Sequence, residues 1–268
     1  MYIHDEFSKL RTIILGSSKK YLNYNKSEKQ NNIEKNVLKD IKEKLKQRNI
    51  KVIEPNYIKN LDINESLWVR DSSIVIDNKF ILLPLQDIDD EKRKLEYKTV
   101  IFNKSYIIPN NEKIKIEGGD IFQLKDIIFI GINERTNLLG YKWLKSQFPN
   151  KNIIKINHNS MHLDCCFNIL PNNVILYSKK YINKLPQICL KKYKCINVDN
   201  IIEGDTNLST NFIFLDKNTI LIDNQYRFNN IKKLLRSYNY ELIIINLQQL
   251  WRYGGSIRCL TQPLLREG

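Results

Sequence analysis

The 268-residue chain has no uninterrupted apolar run of about 18 residues, which excludes an apolar helix of membrane-spanning length. Its start, MYIHDEFSKLRTIILG, carries Asp5 and Glu6 where a signal peptide would be basic and then apolar, so a soluble, cytoplasmic protein is expected. Cysteine is scarce. The five residues Cys165, Cys166, Cys189, Cys195 and Cys259 are odd in number, lack framework or CxxC spacing, and include a vicinal pair ill suited to an ordinary disulfide. Reduced thiols are expected, and no metal site is read. Low-complexity linkers are missing as well, so a single domain spanning residues 1–268 is expected.

Acidic residues are the minority: 29 Asp and Glu against 43 Lys and Arg give a formal charge of +14 and a pI near 9.4. A nucleic-acid surface would gather those cations beside exposed aromatics. Here the lysines are scattered among asparagines and isoleucines along the whole length, so nucleic acid is disfavoured as a partner. A strong positive field can still draw an anionic substrate or give weak nonspecific binding. A hydrophobic content of 42% is enough for a substantial core.

Read in order, the chain repeats one grammar. Residues 10–15 (LRTIIL) make a short buried strand; Ile33, Val37, Leu38, Ile41 and Leu45 recur at helical spacing; Ile50–Ile53 is a second strand. Leu67–Ile76 and Phe80–Leu83 read as two strands joined at Asp77-Asn78, with WVRD inside the first. Residues 86–98 read as a charged loop or short helix. Strands are expected near Thr99–Phe102 and at Ile114–Glu117, then a hairpin from Ile121–Leu124 and Ile127–Ile130. A helix over Leu138–Phe148 would turn Leu139, Trp143 and Leu144 inward. Strands at Ile153–Ile156, Val174–Tyr177 and Cys195–Val198 follow, with a helical piece near Tyr181–Cys189. A hairpin from Asn211–Leu215 and Thr219–Ile222, a helix over Phe228–Tyr238 and a strand at Leu242–Ile245 complete the series. The period of about 50 residues marks a propeller or array. A doubly wound α/β sheet competes with it, but the repeated hairpins fit poorly because parallel crossovers do not use them.

The segments WVRD, IEGGD, NERTN, MHLD and GGSIRC each stand at the end of an expected strand, where loops gather functional groups. In this order they resemble the guanidine-modifying enzymes, the superfamily of arginine deiminases, dimethylarginine dimethylaminohydrolases and amidinotransferases. IEGGD, GINERT, MHLD and RCLTQPLLRE are most similar to arginine deiminases; DEFSKLRTIILG, TNLLGYKW and MHLDCCFNIL are more similar to glycine amidinotransferases. The resemblance implies a pentein fold, an α/β-propeller of five ββαβ-type units around a central polar channel. It further implies Cys259 as nucleophile, His162 as general acid and base, and Glu117 as the carboxylate beside that histidine. Asp71 and Asp164 would grip a substrate guanidinium, while Arg135 and Arg258 would bind the substrate α-carboxylate.

The chemistry is coherent on its own terms. A guanidinium is resonance-stabilised, so attack at its carbon calls for a thiolate, and nearby positive charge would favour that thiolate. Paired carboxylates hold a planar cation by charge-assisted hydrogen bonds. A positioned histidine protonates the departing nitrogen and then activates water or an amine. No cofactor is required, and the partner is a small guanidino compound, arginine or a derivative. A deiminase-like hydrolase is the leading expectation, and an amidinotransferase serving an amine acceptor is the alternative. An arginine dihydrolase and a non-catalytic basic binding module complete the alternatives. The chain is too short for the extra helical insertion of arginine deiminases, which leaves the oligomeric state open, a homodimer included. It carries Arg258 where glycine amidinotransferases have His, and Asp71 where dihydrolases are expected to have Asn. His4 and His158 are expected to be solvated, and Cys165 and Cys166 to be packing residues.

Overall fold

The computed structural model describes residues 1–17, 28–56, 67–84, 94–101 and 105–267. Its strands fall into five sheets of three strands each. Four sheets are continuous in the chain: β3 (Ser73–Ile76), β4 (Lys79–Leu82) and β5 (Tyr106–Ile107); β6 (Ile121–Leu124), β7 (Ile127–Ile132) and β8 (Asn152–Asn157); β9 (Phe167–Leu170), β10 (Val174–Tyr177) and β11 (Lys194–Asn197); β12 (Ile213–Asp216), β13 (Thr219–Asp223) and β14 (Glu241–Ile245). The fifth joins the two ends, because β1 (Lys9–Leu15) pairs in parallel with β2 (Lys51–Ile53) and antiparallel with β15 (Thr261–Glu267).

Every sheet follows one rule: the middle strand runs antiparallel to one neighbour and parallel to the other. An antiparallel pair closes through a tight turn, whereas a parallel pair needs a crossover, and a helix supplies it. The crossover helices are Glu28–Gln47, Lys98–Ile101, Leu138–Gln147, Gln187–Lys192 and Asn229–Ser237, each lying between the second and third strand of its unit. Asp77 and Lys125 take φ near +50° to complete two of the turns, a left-handed geometry that short hairpins demand. The result is a five-bladed α/β-propeller of ββαβ units.

The apolar strands are buried because neighbouring blades pack against both faces. Val75, Phe80, Phe122, Phe129 and Phe167 are all fully enclosed. Two polar residues inside first strands are explained by bonds between blades: Gln123 Nε2 donates to Val75 O at 2.6 Å, and Asn168 Nδ2 donates to Thr210 O at 2.7 Å. The blades are therefore stitched through side-chain amides where strand ladders end. All five cysteines are free thiols. Among the described residues no helix is long and apolar enough to cross a membrane.

Several expectations are corrected. WVRD lies on a helical turn, Val69–Ser72, and only Ser73–Ile76 continues as strand. Residues 98–101 are helical, and Phe102 and most of 86–98 lie outside the described residues. Ile114–Glu117 joins no sheet. In the helix Leu138–Gln147, Leu139 is 42% exposed, while Gly140 and Leu144 face inward. The helix expected near Tyr181–Cys189 begins only at Gln187, because Pro186 keeps an extended ψ of 145° and cannot itself continue a turn from before it.

Candidate active site

The motif IEGGD folds as it does because two of its residues have no room for a side chain. A Cβ on Gly118 would lie 2.2 Å from Arg70 O, and one on Gly119 would lie 2.7 Å from His162 Cγ. The glycines let this turn press against both WVRD and MHLD. Asp120, fully buried, then ties the turn down: it accepts from Thr136 Oγ1 at 2.6 Å, from Leu163 N at 2.7 Å and from His158 Nε2 at 3.0 Å. Burial opposes its charge, but the His158 hydrogen bond and the neighbouring His162 outweigh burial and hold the carboxyl below its usual range. His158 is thus a buried brace, contrary to the solvated position expected for it. His4 is partly buried, with Nε2 3.3 Å from Asp5.

His158 and His162 are four residues apart, yet they engage different carboxylates. His162 Nε2 meets Glu117 Oε2 at 2.6 Å, and its Nδ1 lies 3.7 Å from Asp71 Oδ1. Burial disfavours the imidazolium, but Asp71, the Glu117 hydrogen bond and Asp120 prevail and raise the histidine to about 10. Ligand atoms of Asp71, Glu117 and His162 lie within 4.8 Å of one another, a spacing a cation can share. In the structure His162 Nε2 and Glu117 Oε2 are engaged with each other at hydrogen-bond distance.

Cys259 arrives from the far end of the chain. Gly254, at φ +80°, turns the backbone, and Gly255 sits against Trp68 so closely that a Cβ would approach its ring to 2.4 Å. Arg70 N donates to Cys259 O at 3.2 Å, so the WVRD turn and the cysteine loop hold each other. The sulfur is buried at 4% exposure and accepts a hydrogen bond from Asn211 Nδ2 at 3.3 Å. Burial, then Asp164 and Asp71, push the thiol well above its ordinary value. Positive charge, expected to set the thiol, therefore does not: Arg258 is near, but burial and the two carboxylates dominate.

Those carboxylates are under-bonded. Asp71 Oδ1 and Asp164 Oδ2 are buried and make no hydrogen bond among the described residues. Burial, with Glu117 and Asp164 nearby, raises Asp71 to about 7 despite the favourable field of His162. Asp164 is also raised by burial, although Arg258 and His162 oppose the shift. Buried carboxylate oxygens without donors are costly, and a planar cation carrying several N–H groups would satisfy both.

The two arginines assigned to a substrate carboxylate part company. Arg135 is half exposed, with Nη1 3.4 Å from Glu117 Oε1 and no other side-chain hydrogen bond among the described residues. Arg258 is enclosed: Nη1 bonds Glu6 Oε2 at 2.8 Å, Nη2 bonds Ile121 O at 3.2 Å, Nε lies 3.5 Å from Asp164 Oδ2, and the guanidinium stacks 3.9 Å from the Phe122 ring centre. At 2% exposure it serves the interior and presents nothing to a solvent-borne carboxylate. Glu6, Asn211, Asp120 and His158 are the participants that the motif reading omits. Asp120 closes the IEGGD motif and Glu6 is the second residue of the DEFSKL segment, whereas Asn211 has no motif signal. Cys165 and Cys166 are buried, and burial raises both thiols, as suits packing residues.

Beside this cluster lies a cavity of about 920 Å³ whose lining includes Asn133, Arg135, His158, Met161, Tyr181 and Lys184. Cys259, His162, Asp71 and Glu117 are not part of its lining, which adjoins them through Arg135, the ion-pair partner of Glu117, and through Met161, the chain neighbour of His162.

The sequence model of the arginine deiminase family matches residues 4–213. A curated relative, the uncharacterized protein YkgA of Bacillus subtilis strain 168, is 28% identical over 205 residues, 75% of this chain and 70% of its own. Among solved structures, SxtG, an amidinotransferase of saxitoxin biosynthesis from Microseira wollei, superimposes with a TM-score of 0.84 at 17% identity, covering 100% of this chain and 97% of that one. DDAH from Pseudomonas aeruginosa, a cysteine-to-serine mutant complexed with citrulline, gives 0.72 at 15% identity, covering 95% and 99%. At such identities the structures share the fold, while the match over residues 4–213 carries the kinship: the chain belongs to the arginine deiminase family.

Proposed function

We propose that the protein is a guanidine-modifying hydrolase that acts on arginine or a close derivative through a covalent amidino adduct on Cys259. The observation that carries this reading is the pair of buried carboxylate oxygens, Asp71 Oδ1 and Asp164 Oδ2, near the buried Cys259 sulfur. Among the described residues they accept no hydrogen bond and face only the long ion-pair contacts of His162 at 3.7 Å and Arg258 at 3.5 Å. A guanidinium offers N–H groups to both carboxylates, and its charge offsets the carboxylate field that, after burial, keeps the thiol protonated. The thiol then releases its proton to solvent water as the cationic substrate binds, His162 being already protonated, and the substrate itself activates its nucleophile.

Attack of the sulfur on the guanidinium carbon forms the C–S bond. His162, a cation while Glu117 and Asp71 surround it, gives its proton to the departing nitrogen as the C–N bond breaks. The amidino group remains on sulfur. His162, now neutral, takes a proton from water, which adds to the same carbon and releases a urea-type product and the thiol. Loss of the terminal nitrogen yields ammonia and citrulline. Arg135, exposed above Glu117, is positioned to receive the substrate's anionic end. Cytoplasmic residence fits this substrate.

An amidinotransferase is the second reading, favoured by the cavity of about 920 Å³ beside Arg135 and Met161, which has room for an acceptor amine. Incubation with arginine, followed by assay of citrulline, ornithine and ammonia, separates the alternatives. Citrulline and ammonia without an acceptor support the hydrolase. Ornithine only when an amine is added overturns it in favour of the transferase, and acceptor-independent ornithine with ammonia indicates a dihydrolase.

A further inference from the structure

Asn211 holds a place in the site that its neighbours leave no freedom to vary. It lies before β12, in a segment where Leu208 takes a left-handed φ of 67° and Asn211 N donates back to Leu208 O at 3.1 Å. Both flanking carbonyls, of Thr210 and Phe212, accept from Asn168 Nδ2 at 2.7 and 3.1 Å. Thr210 Oγ1 reaches Asp164 O at 3.2 Å, so this segment also braces one of the two under-bonded aspartates. The side chain, in a residue only 2% exposed, is fixed at both ends: Oδ1 accepts from Arg258 N at 2.9 Å, and Nδ2 points to Cys259 Sγ at 3.3 Å. A backbone N–H can only donate, so the oxygen must face Arg258 and the NH₂ must face the sulfur. Among the described residues no other side chain donates a hydrogen bond to that sulfur.

We infer that Asn211 is a catalytic residue of the reaction proposed above, its amide donating a pre-set hydrogen bond that aims the Cys259 sulfur and stabilises it as a thiolate. The inference rests on Cys259 being the nucleophile. A hydrogen bond to an anion is stronger than one to its neutral form, so the bond strengthens as the thiol ionises. The charged or ionisable groups facing the sulfur are Asp164, Asp71, Arg258 and Cys165. Two are carboxylates that oppose ionisation, and Arg258 is committed to Glu6. The neutral Asn211 donor stabilises the anion without competing with a cationic substrate for the aspartates, as a lysine or arginine there would.

The test uses the full chain and iodoacetamide, whose iodide the thiolate displaces with formation of a C–S bond. The rate of Cys259 labelling is measured against pH, with the site read by peptide mass spectrometry. Asn211→Ala removes both bonds of the side chain without adding charge, and Asn211→Asp keeps the acceptor for Arg258 N while removing the donor. Where Asn211→Ala does not fold, Asn211→Leu, which keeps the volume, takes its place. Both variants are expected to move the labelling midpoint upward by about one pH unit and to lower kcat on arginine about tenfold, with KM little changed. A midpoint unchanged in both, a shift in the aspartate variant alone, or a shift in the alanine variant alone overturns the inference. The second outcome reports added charge, and the third reports the lost Arg258 contact. In each of these cases the proposed function stands. Labelling that falls on another thiol, with turnover retained in Cys259→Ala, overturns the proposed function itself.

Discussion

Asp71 and His162 form the pair on which the pH behaviour of the site turns. Asp71 must be ionised to hold a cation, and burial raises it to about 7; His162 must carry a proton for the leaving nitrogen, and it holds one up to about 10. Activity should therefore rise as pH passes 7 and fall as it passes 10, giving a bell in kcat/KM whose limbs belong to the coupled cluster. Asp71→Asn should remove the acid limb and cost at least about a hundredfold in kcat/KM, because a neutral amide no longer pairs with the guanidinium. The same substitution removes a strained buried charge, so thermal unfolding should occur at an equal or higher temperature than in the parent protein. A lower Tm together with unchanged kcat/KM would reverse the assignment. Cys259→Ala should abolish both turnover and covalent labelling by an amidine electrophile.

At the scale of elements, the site depends on backbone segments that meet without side chains between them. Gly119→Ala would drive a methyl group into the His162 ring, at 2.7 Å from Cγ, and Gly255→Ala would drive one into Trp68. Forced shifts of this kind cost about 1–3 kcal/mol. Gly119→Ala is expected to fold, with a Tm a few degrees lower, and to lose at least about tenfold in kcat, since His162 is displaced from Glu117. Circular dichroism and steady-state kinetics on one preparation check both parts. The WVRD turn shows why a local pattern misleads. Its apolar run suggests a strand, yet Ser73 Oγ bonds Val69 O at 2.8 Å and Asp71 N bonds Trp68 O at 3.0 Å, which winds the segment once before β3 begins. That winding places Asp71 beside His162.

For the whole molecule, the decisive contact joins residues 252 apart: Glu6 pairs with Arg258 in the interior, and β15 zips to β1 alongside. Burial would raise Glu6, but the charge and hydrogen bond of Arg258, with Arg70 and Arg266 near, prevail and lower it to about 2. A carboxyl depressed in the folded state contributes stability above its unfolded value, and that contribution fades as pH falls toward about 2. Acid unfolding should therefore steepen below about pH 4.5 in the parent protein and flatten in Glu6→Gln. The variant should be destabilised at pH 7 by about 3–5 kcal/mol, because Arg258 is left buried without its partner. Urea unfolding across that pH range measures both. Equal slopes and equal midpoints for the two proteins would deny the pair its role in closing the ring.

Much of this was legible in the residues. Apolar strands bounded by Asp-Asn and Lys-Asn turns, repeated with intervening amphipathic segments, encode the ββαβ unit, because burial on both faces and turn geometry are local demands. WVRD, EGGD and MHLD likewise carried Asp71, Glu117, His162 and Asp164, residue types whose chemistry is intrinsic. What only the tertiary structure decided is how buried charges are shared. Arg258 turned inward to Glu6, His158 became the partner of Asp120, and Asn211 came to lie against Cys259. Each of those pairings spans 38 residues or more, and an electrostatic contact depends on separation in space and on the exclusion of water. Neither is written in spacing along the chain. The sequence determined that one cysteine, one histidine and several carboxylates would meet in a propeller; the packing of its blades decided which carboxylates were left without donors.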